Sequence, residues 1–385
     1  MKPLLEGNRI QLLESGSEFF PALKACIAAA QREIYLETYI FCDDATGRDI
    51  AEALVQAAQR GVVVRLLVDG FGSRRFVESG LLSLRQEGVH VQVYRREIKL
   101  LSLRRHRLRR LHRKLAVIDG ATAFVGGINI VDDFDADAPP VPRLDYAVKV
   151  EGPLLRSIHR TVRRMWWLVS WARLGRRQSL PKWRGEDGRS VGDVRAAFLL
   201  RDNLRHRRGI EEVYLEVLAK AQNEVLIANA YFFPGRRFRH ALRDAAARGV
   251  NVVLLLQGVS DHPTMLYATR ALYPVLLSYG VRLFEYRRSE LHAKVAVVDR
   301  RWATVGSSNI DPFSLLMARE ANVVVDDAGF ATRLHTSLEQ AMASGAVELR
   351  HEDWHRQPSL RRLASWLAFQ FVRLTTELTG GRYPV

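Results

Sequence analysis

The sequence predicts an α/β protein made of two similar halves, each a central sheet with helices on its faces. Two observations carry that reading. First, the chain repeats itself. EIYLETYIF at 33–41 resembles EVLIANAYF at 224–232, RGVVVRLLV at 60–68 resembles RGVNVVLLL at 248–256, and GVHVQVY at 88–94 resembles GVRLFEY at 280–286. LHRKLAVID at 111–119 returns 180 positions later as LHAKVAVVD at 291–299. The offsets run from 180 to 192, so the elements recur while the loops between them differ in length. Second, short β-branched runs alternate with amphipathic stretches such as 47–60 and 237–248, the pattern of strands covered by helices.

Along the chain, 33–41, 60–68, 88–94 and 111–119 read as strands of the first half, with 47–60 a helix between the first two. Residues 154–171 follow as a basic amphipathic helix. The stretch 175–192, rich in Pro, Gly and charge, is the natural link. The expected division is a first lobe over 1–178, a linker over 179–193, and a second lobe over 194–385 that ends in an amphipathic tail.

At 48% hydrophobic and 26% charged residues the composition is globular, which excludes a disordered, collagenous or low-complexity chain. The longest uncharged run is 12 residues, well short of the roughly 20 apolar residues a spanning helix needs. Residues 1–8 hold no apolar signal core, so retention in the cytoplasm is expected. Cys26 and Cys42 are too few for a disulfide framework or a zinc site.

There are 58 basic and 42 acidic residues, a formal net charge of +16. Residues 95–114 hold ten Lys or Arg against one Glu, and 156–177 hold seven Arg and no acid, so these two segments account for the whole excess. A charge this localised points to an anionic partner rather than a generally basic surface.

The chemistry sits in His112-Arg-Lys114 and His292-Ala-Lys294. Alternate side chains of an extended strand share a face, so each His projects with its Lys while Leu115 or Val295 points the other way. GGIN at 126–129 and GSSN at 306–309 follow. Small residues there, Gly127 and Ser307 among them, would let backbone N–H groups approach an anion, with Asn129 and Asn309 adding neutral donors. The inventory is a phosphate site with no acidic cluster for Mg²⁺, so no metal and no cofactor is expected. Two His suit an in-line displacement at phosphorus, one neutral and attacking, the other protonated and donating to the leaving oxygen. Asp119 and Asp299 have the opposite strand parity, which favours a sheet-closing role.

His112-x-Lys114-x4-Asp119-x6-Gly126 and its second copy resemble the paired HKD motifs of the phospholipase D superfamily. The resemblance covers about 7–327. It implies two α/β/α sandwich lobes as an intrachain pseudo-dimer, with one site at the lobe interface. It implies His112, Lys114, Asp119, His292, Lys294 and Asp299 as the catalytic set, with His112 the nucleophile and His292 the general acid and then base. It also implies an acid after each motif that orients a histidine. Asp145 and Glu320 stand at matching places, and which serves which His is open. Within the superfamily the chain looks most like bacterial cardiolipin synthases of the B type. The residues that carry this are LETYIF at 36–41 with Asp44 and Gly47, FVGGIN at 124–129, EGP at 151–153, and GSSNID at 306–311 with Ser314 and Glu320. That kinship implies phosphatidyl transfer from one phosphatidylglycerol to another with release of glycerol. Ala318 and Arg319 depart from the family pattern, which expects Asn at 318.

The partner expected is an anionic phospholipid membrane containing phosphatidylglycerol and cardiolipin, met peripherally at the cytoplasmic face of a bacterial membrane, with no obligate protein partner. Two segments offer themselves for docking. In 154–171, Leu155, Ile158, Val162, Met165, Trp166 and Val169 form a stripe, with Arg156, Arg160, Arg163 and Arg164 mostly elsewhere around the helix; Trp166 and Trp167 with Arg163 and Arg164 would meet lipid, or the stripe packs on the core. In 359–378, Leu360, Leu363, Leu367, Phe371, Leu374 and Leu378 form another with Trp366 and Phe369 beside it, to serve as a lobe cover or a membrane foot. The competing reading is a nuclease of the same superfamily, whose basic groove would hold a nucleic-acid backbone. The Trp residues cluster beside apolar positions rather than along a groove, which disfavours base stacking.

Overall fold

The computed structural model describes residues 3–95, 110–133, 141–174, 189–202, 208–259, 262–312, 318–352 and 358–378. Most of the basic run 95–114, most of the link 179–193, and Ser314 lie outside the described residues.

The first half runs β1 (Leu5–Glu14), α1 (Ser15–Ala29), β2 (Glu33–Thr38), α2 (Ala45–Gln59), β3 (Val63–Asp69), α3 (Arg74–Ser79), α4 (Leu81–Gln86), β4 (His90–Tyr94), β5 (Arg110–Leu111), β6 (Lys114–Ile118), β7 (Thr122–Gly126), β8 (Tyr146–Glu151) and α5 (Leu155–Leu174). The second repeats the plan: β9 (Val194–Arg201), α6 (Gly209–Lys220), β10 (Glu224–Asn229), α7 (Arg236–Ala247), β11 (Asn251–Gln257), α8 (Pro263–Arg270), α9 (Tyr273–Ser278), β12 (Arg282–Tyr286), β13 (Lys294–Val298), β14 (Trp302–Gly306), β15 (Ala318–Asp326) and α10 (Ala328–Gly345). β16 (Ala346–Leu349) and α11 (Ser359–Leu378) follow.

Local chemistry sets the boundaries. The Asp44 carboxylate caps α2 by accepting from Gly47 N at 2.7 Å, and a Cβ on Gly47 would run into the Cys42 carbonyl. Asp327 caps α10 in the same way through Phe330 N. β2, β6, β7, β10, β13 and β14 are buried along almost their whole length, as expected of strands covered on both faces.

The strand order is β4-β3-β2-β6-β7-β8-β1 in one half and β12-β11-β10-β13-β14-β15-β9 in the other, with β16 outside β12. The repeat in the sequence is thus a repeat of topology. β2-β3-β4 and β10-β11-β12 are parallel, and the rest of each half is antiparallel. β1 and β9, equivalent strands, pair antiparallel with Leu5 opposite Ala196 and Asn8 opposite Val194, so the two halves share one continuous sheet. Buried Asn8 fastens this seam: its amide donates to the Leu5 and Val194 carbonyls and its Oδ1 accepts from Leu154 N.

Each half has an outer core, one under α1 and α2, the other under α6 and α7. A third core runs between the halves and draws on β6, β7 and β8 with α5, and on β13, β14 and β15 with α10. α5 settles one of the two alternatives for docking. Its stripe of Leu155, Ile158, Val162, Met165 and Val169 is buried, and Trp166 packs against it. Trp166 and Trp167 are half-buried, Arg163 is half-buried beside Glu33 and Tyr35, and Arg164 alone of the four named residues is exposed. The sheet claims this stripe, so α5 is corrected from a membrane anchor to a core helix.

Candidate active site

The two histidines are placed by strands of the opposite half. Leu111 N donates to Asp69 Oδ2 at 2.9 Å, which fixes the chain as it enters the first motif. β5 pairs with β15, and His112 N donates to the Arg319 carbonyl, the residue just before Glu320. Correspondingly, Leu144 bridges to Leu291, and His292 N donates to the Leu144 carbonyl, the residue just before Asp145. Each His is therefore laid beside the other half's acid by the backbone.

The side chains pair accordingly. His112 Nδ1 lies 3.0 Å from Glu320 Oε1, and His292 Nδ1 lies 2.6 Å from Asp145 Oδ2. The question the sequence left open is answered crosswise: each acid serves the histidine of the other motif. With Nδ1 held by a carboxylate, each ring keeps Nε2 for chemistry. Lys114 Nζ sits 3.3 Å from His112 Nε2 and donates to the His112 carbonyl, and Lys294 donates to the His292 carbonyl.

Burial governs the protonation states. It drives His112 below the usual imidazole range, against the pull of Glu320, and drives His292 well below it, helped by the Lys294 and Lys114 charges. Lys114 is brought down to about 7 by burial and by Lys294. Asp145 is pushed up to about 6 by burial, against the Lys294 charge.

His112, His292, Asn129, Asn309 and Asp145 line one cavity of about 400 Å³. Asn129 Oδ1 accepts from Ile40 N at 3.2 Å, which fixes the amide plane. Gly127 and Ser307 are not in the cavity wall. Their N–H groups are committed to the Tyr146 and Ala321 carbonyls, so neither presents a backbone donor to an anion. Instead both abut the acids. A Cβ on Gly127 would collide with the Asp145 carboxylate, and Ser307 Oγ donates to Glu320 Oε2 at 2.6 Å. Their reading as phosphate binders is corrected to carboxylate positioning.

Asp119 and Asp299 are likewise corrected. Asp119 accepts from the N–H groups of Gln31, Arg32 and Glu33 at 2.8–2.9 Å, and Asp299 from those of Gln222, Asn223 and Glu224 at 2.7–3.0 Å. Each ties the turn after its motif strand to the start of β2 or β10, at the end of the strand away from Lys114 or Lys294. Neither lines the cavity. Both hold the left-handed backbone at φ 54° and 51°, a conformation Asp tolerates better than most residues.

Sequence reasoning did not single out several wall residues. Tyr39 lies edge-on to His112 with centroids 4.8 Å apart, and Lys114 Nζ lies 5.6 Å from the same ring. Arg143 bridges to Glu290 of the other half at 2.5 Å, and half-buried Asp133 is pushed up to about 6 by its partial desolvation. Tyr231 lies tilted against His262 on the second-half side, with ring centroids 5.7 Å apart. Tyr39 and Tyr231 sat inside the quoted repeat; the rest lie in loops where the repeats diverge and no periodic signal exists. Ala318 contributes a methyl to the wall, and its carbonyl accepts from buried Arg201. Among the described residues no group of three or more His, Cys, Asp or Glu is placed to hold a metal ion.

Residues 23–133 and 214–342 match the family described as "Cardiolipin synthase, PLD-like domain". The chain is 41% identical to cardiolipin synthase B of Salmonella typhi, over 97% of this chain and 90% of that protein. It is 32% identical to cardiolipin synthase A of Pseudomonas aeruginosa, over 98% of this chain and 74% of that one. Among solved structures, phosphatidylserine synthase of Haemophilus influenzae shares the fold at a TM-score of 0.68 with 15% identity, over 98% of this chain and 97% of that one.

Proposed function

The chain belongs to the phospholipase D-like family of cardiolipin synthases, and from that premise we propose how its crossed site makes cardiolipin from two molecules of phosphatidylglycerol. The observation that carries the mechanism is the exchange of acids between halves, which leaves two imidazole Nε2 atoms, both carboxylate-oriented, facing one cavity.

His112 Nε2 attacks phosphorus of the first phosphatidylglycerol. The P–O bond to the headgroup glycerol breaks as the P–N bond forms, and His292 gives its proton to the departing oxygen. Lys114, Lys294, Asn129 and Asn309 neutralise and orient the phosphoryl oxygens, which need fixed donors because charge builds on them in the transition state. Neutral His292 then takes the proton of a headgroup hydroxyl on the second phosphatidylglycerol. That oxygen attacks phosphorus, the P–N bond breaks, and cardiolipin leaves with both histidines restored. Glu320 and Asp145 hold each ring in the tautomer this requires.

Substrate and product are both lipids of an anionic membrane, which the enzyme meets as a peripheral protein. No helix among the described residues is long and apolar enough to cross a membrane. Purified protein given phosphatidylglycerol vesicles is expected to release one glycerol per cardiolipin formed, with His112→Ala reducing the rate by at least about 10³-fold. Phosphatidic acid as the sole product would show that water, not a lipid hydroxyl, is the acceptor.

A further inference from the structure

The C-terminal helix α11 is amphipathic the wrong way round for a lobe cover. Its small and polar positions Ser365 and Thr376, with Val372, are buried against the second half, joined by half-buried Ala368 and Phe369. Its large apolar residues face outward: Leu360, Leu363, Trp366, Leu367, Phe371 and Leu374 are each 52–79% exposed. They recur at three- and four-residue spacing, so they make one continuous stripe rather than scattered exposures.

We propose that this stripe is the foot by which the enzyme enters an anionic phospholipid bilayer, a statement that rests on the lipid substrate proposed above. Three features favour lipid over a second copy of the chain. Arg361 and Arg362 are exposed on the same helix and complement anionic headgroups, whereas self-association would set this basic rim against its own like. Trp366 among leucines suits the headgroup boundary.

The third feature is position. α11 packs on α8, and Phe369 packs against Phe233 with ring centroids 5.2 Å apart. Met265 of α8, His262 at its N-terminus and Tyr231, two residues before Phe233, all line the active cavity. The foot is thus one helix removed from the cavity wall, and docking through it brings the cavity to the lipid surface.

Leu363→Glu/Leu367→Glu/Phe371→Glu tests this, because all three positions are exposed and none belongs to the site. Sedimentation with vesicles of equal phosphatidylglycerol and phosphatidylcholine is expected to show partition weakened at least about tenfold, with vesicle turnover falling in parallel. Turnover of a short-chain phosphatidylglycerol below its micellar concentration is expected to stay at the wild-type rate, which also shows that the variant folds. Unchanged vesicle partition overturns the proposal, as does a wild-type oligomer that the variant dissolves without any change in partition. Wild-type protein that turns over neither form of phosphatidylglycerol would overturn the substrate reading instead, while the partition of the variant would still judge the foot.

Discussion

His112 and His292 carry the same partner geometry but need opposite protonation, and the pH dependence follows. Rate should fall at low pH as His112 gains a proton and at high pH as His292 loses one. Burial has already lowered the affinity of His292 for its proton in the free enzyme. A bound phosphodiester anion restores some of it. The alkaline limb is therefore expected at higher pH in kcat than in kcat/KM, and paired pH profiles on a water-soluble phosphatidylglycerol check this. Lys114 gives a stability prediction. Its folded pKa is lowered to about 7, so the folded state binds fewer protons than the unfolded one between there and the ordinary lysine value. Stability is full above the ordinary lysine value and is lost progressively as pH falls from there to about 7. Lys114→Met should abolish turnover yet raise Tm by about 2–4 °C at pH 7, and calorimetry should show that gain shrinking toward pH 10.

At the scale of elements, the two motif strands solve one problem differently. Arg113, between His112 and Lys114, is buried and ion-paired with Glu37 of β2 at 2.6 and 3.1 Å. The equivalent positions in the second half are Ala293 and Ala228, both fully buried. Removing only Glu37 leaves a buried guanidinium without its carboxylate, so Glu37→Ala should cost about 3–5 kcal/mol. Glu37→Ala/Arg113→Ala, which copies the other half, should lie closer to wild type, as a denaturant double-mutant cycle would show. The motif strands and β2, β3 and β4 were legible beforehand because each has a second copy in the sequence, and parity alone put Asp119 and Asp299 off the catalytic face. What parity could not supply was partnership across the halves. Nothing near Asp145 in the sequence says that it sits against His292, and nothing in the stripe of α5 distinguishes it from that of α11. Only the packed sheet shows that one stripe is covered and the other open.

For the whole molecule, the net charge of +16 makes association with an anionic surface salt-dependent. Raising salt from about 0.1 to about 0.5 M shortens the reach of those charges, so turnover on phosphatidylglycerol vesicles should fall several-fold while turnover of dispersed short-chain lipid holds. The continuous sheet through β1 and β9 makes the two halves one body, and the acids cross that seam in both directions. Time of synthesis follows from this. Asp145 precedes its histidine by 147 residues, but Glu320 follows His112 by 208. A nascent chain that has emerged only through its first motif holds a histidine with neither its acid nor its proton-donating counterpart. Both arrive late, over a long loop that is slow to close. The ribosome must therefore release residues beyond 320 before any covalent phosphoryl adduct can be held in register. An incomplete translation product then lacks a working site.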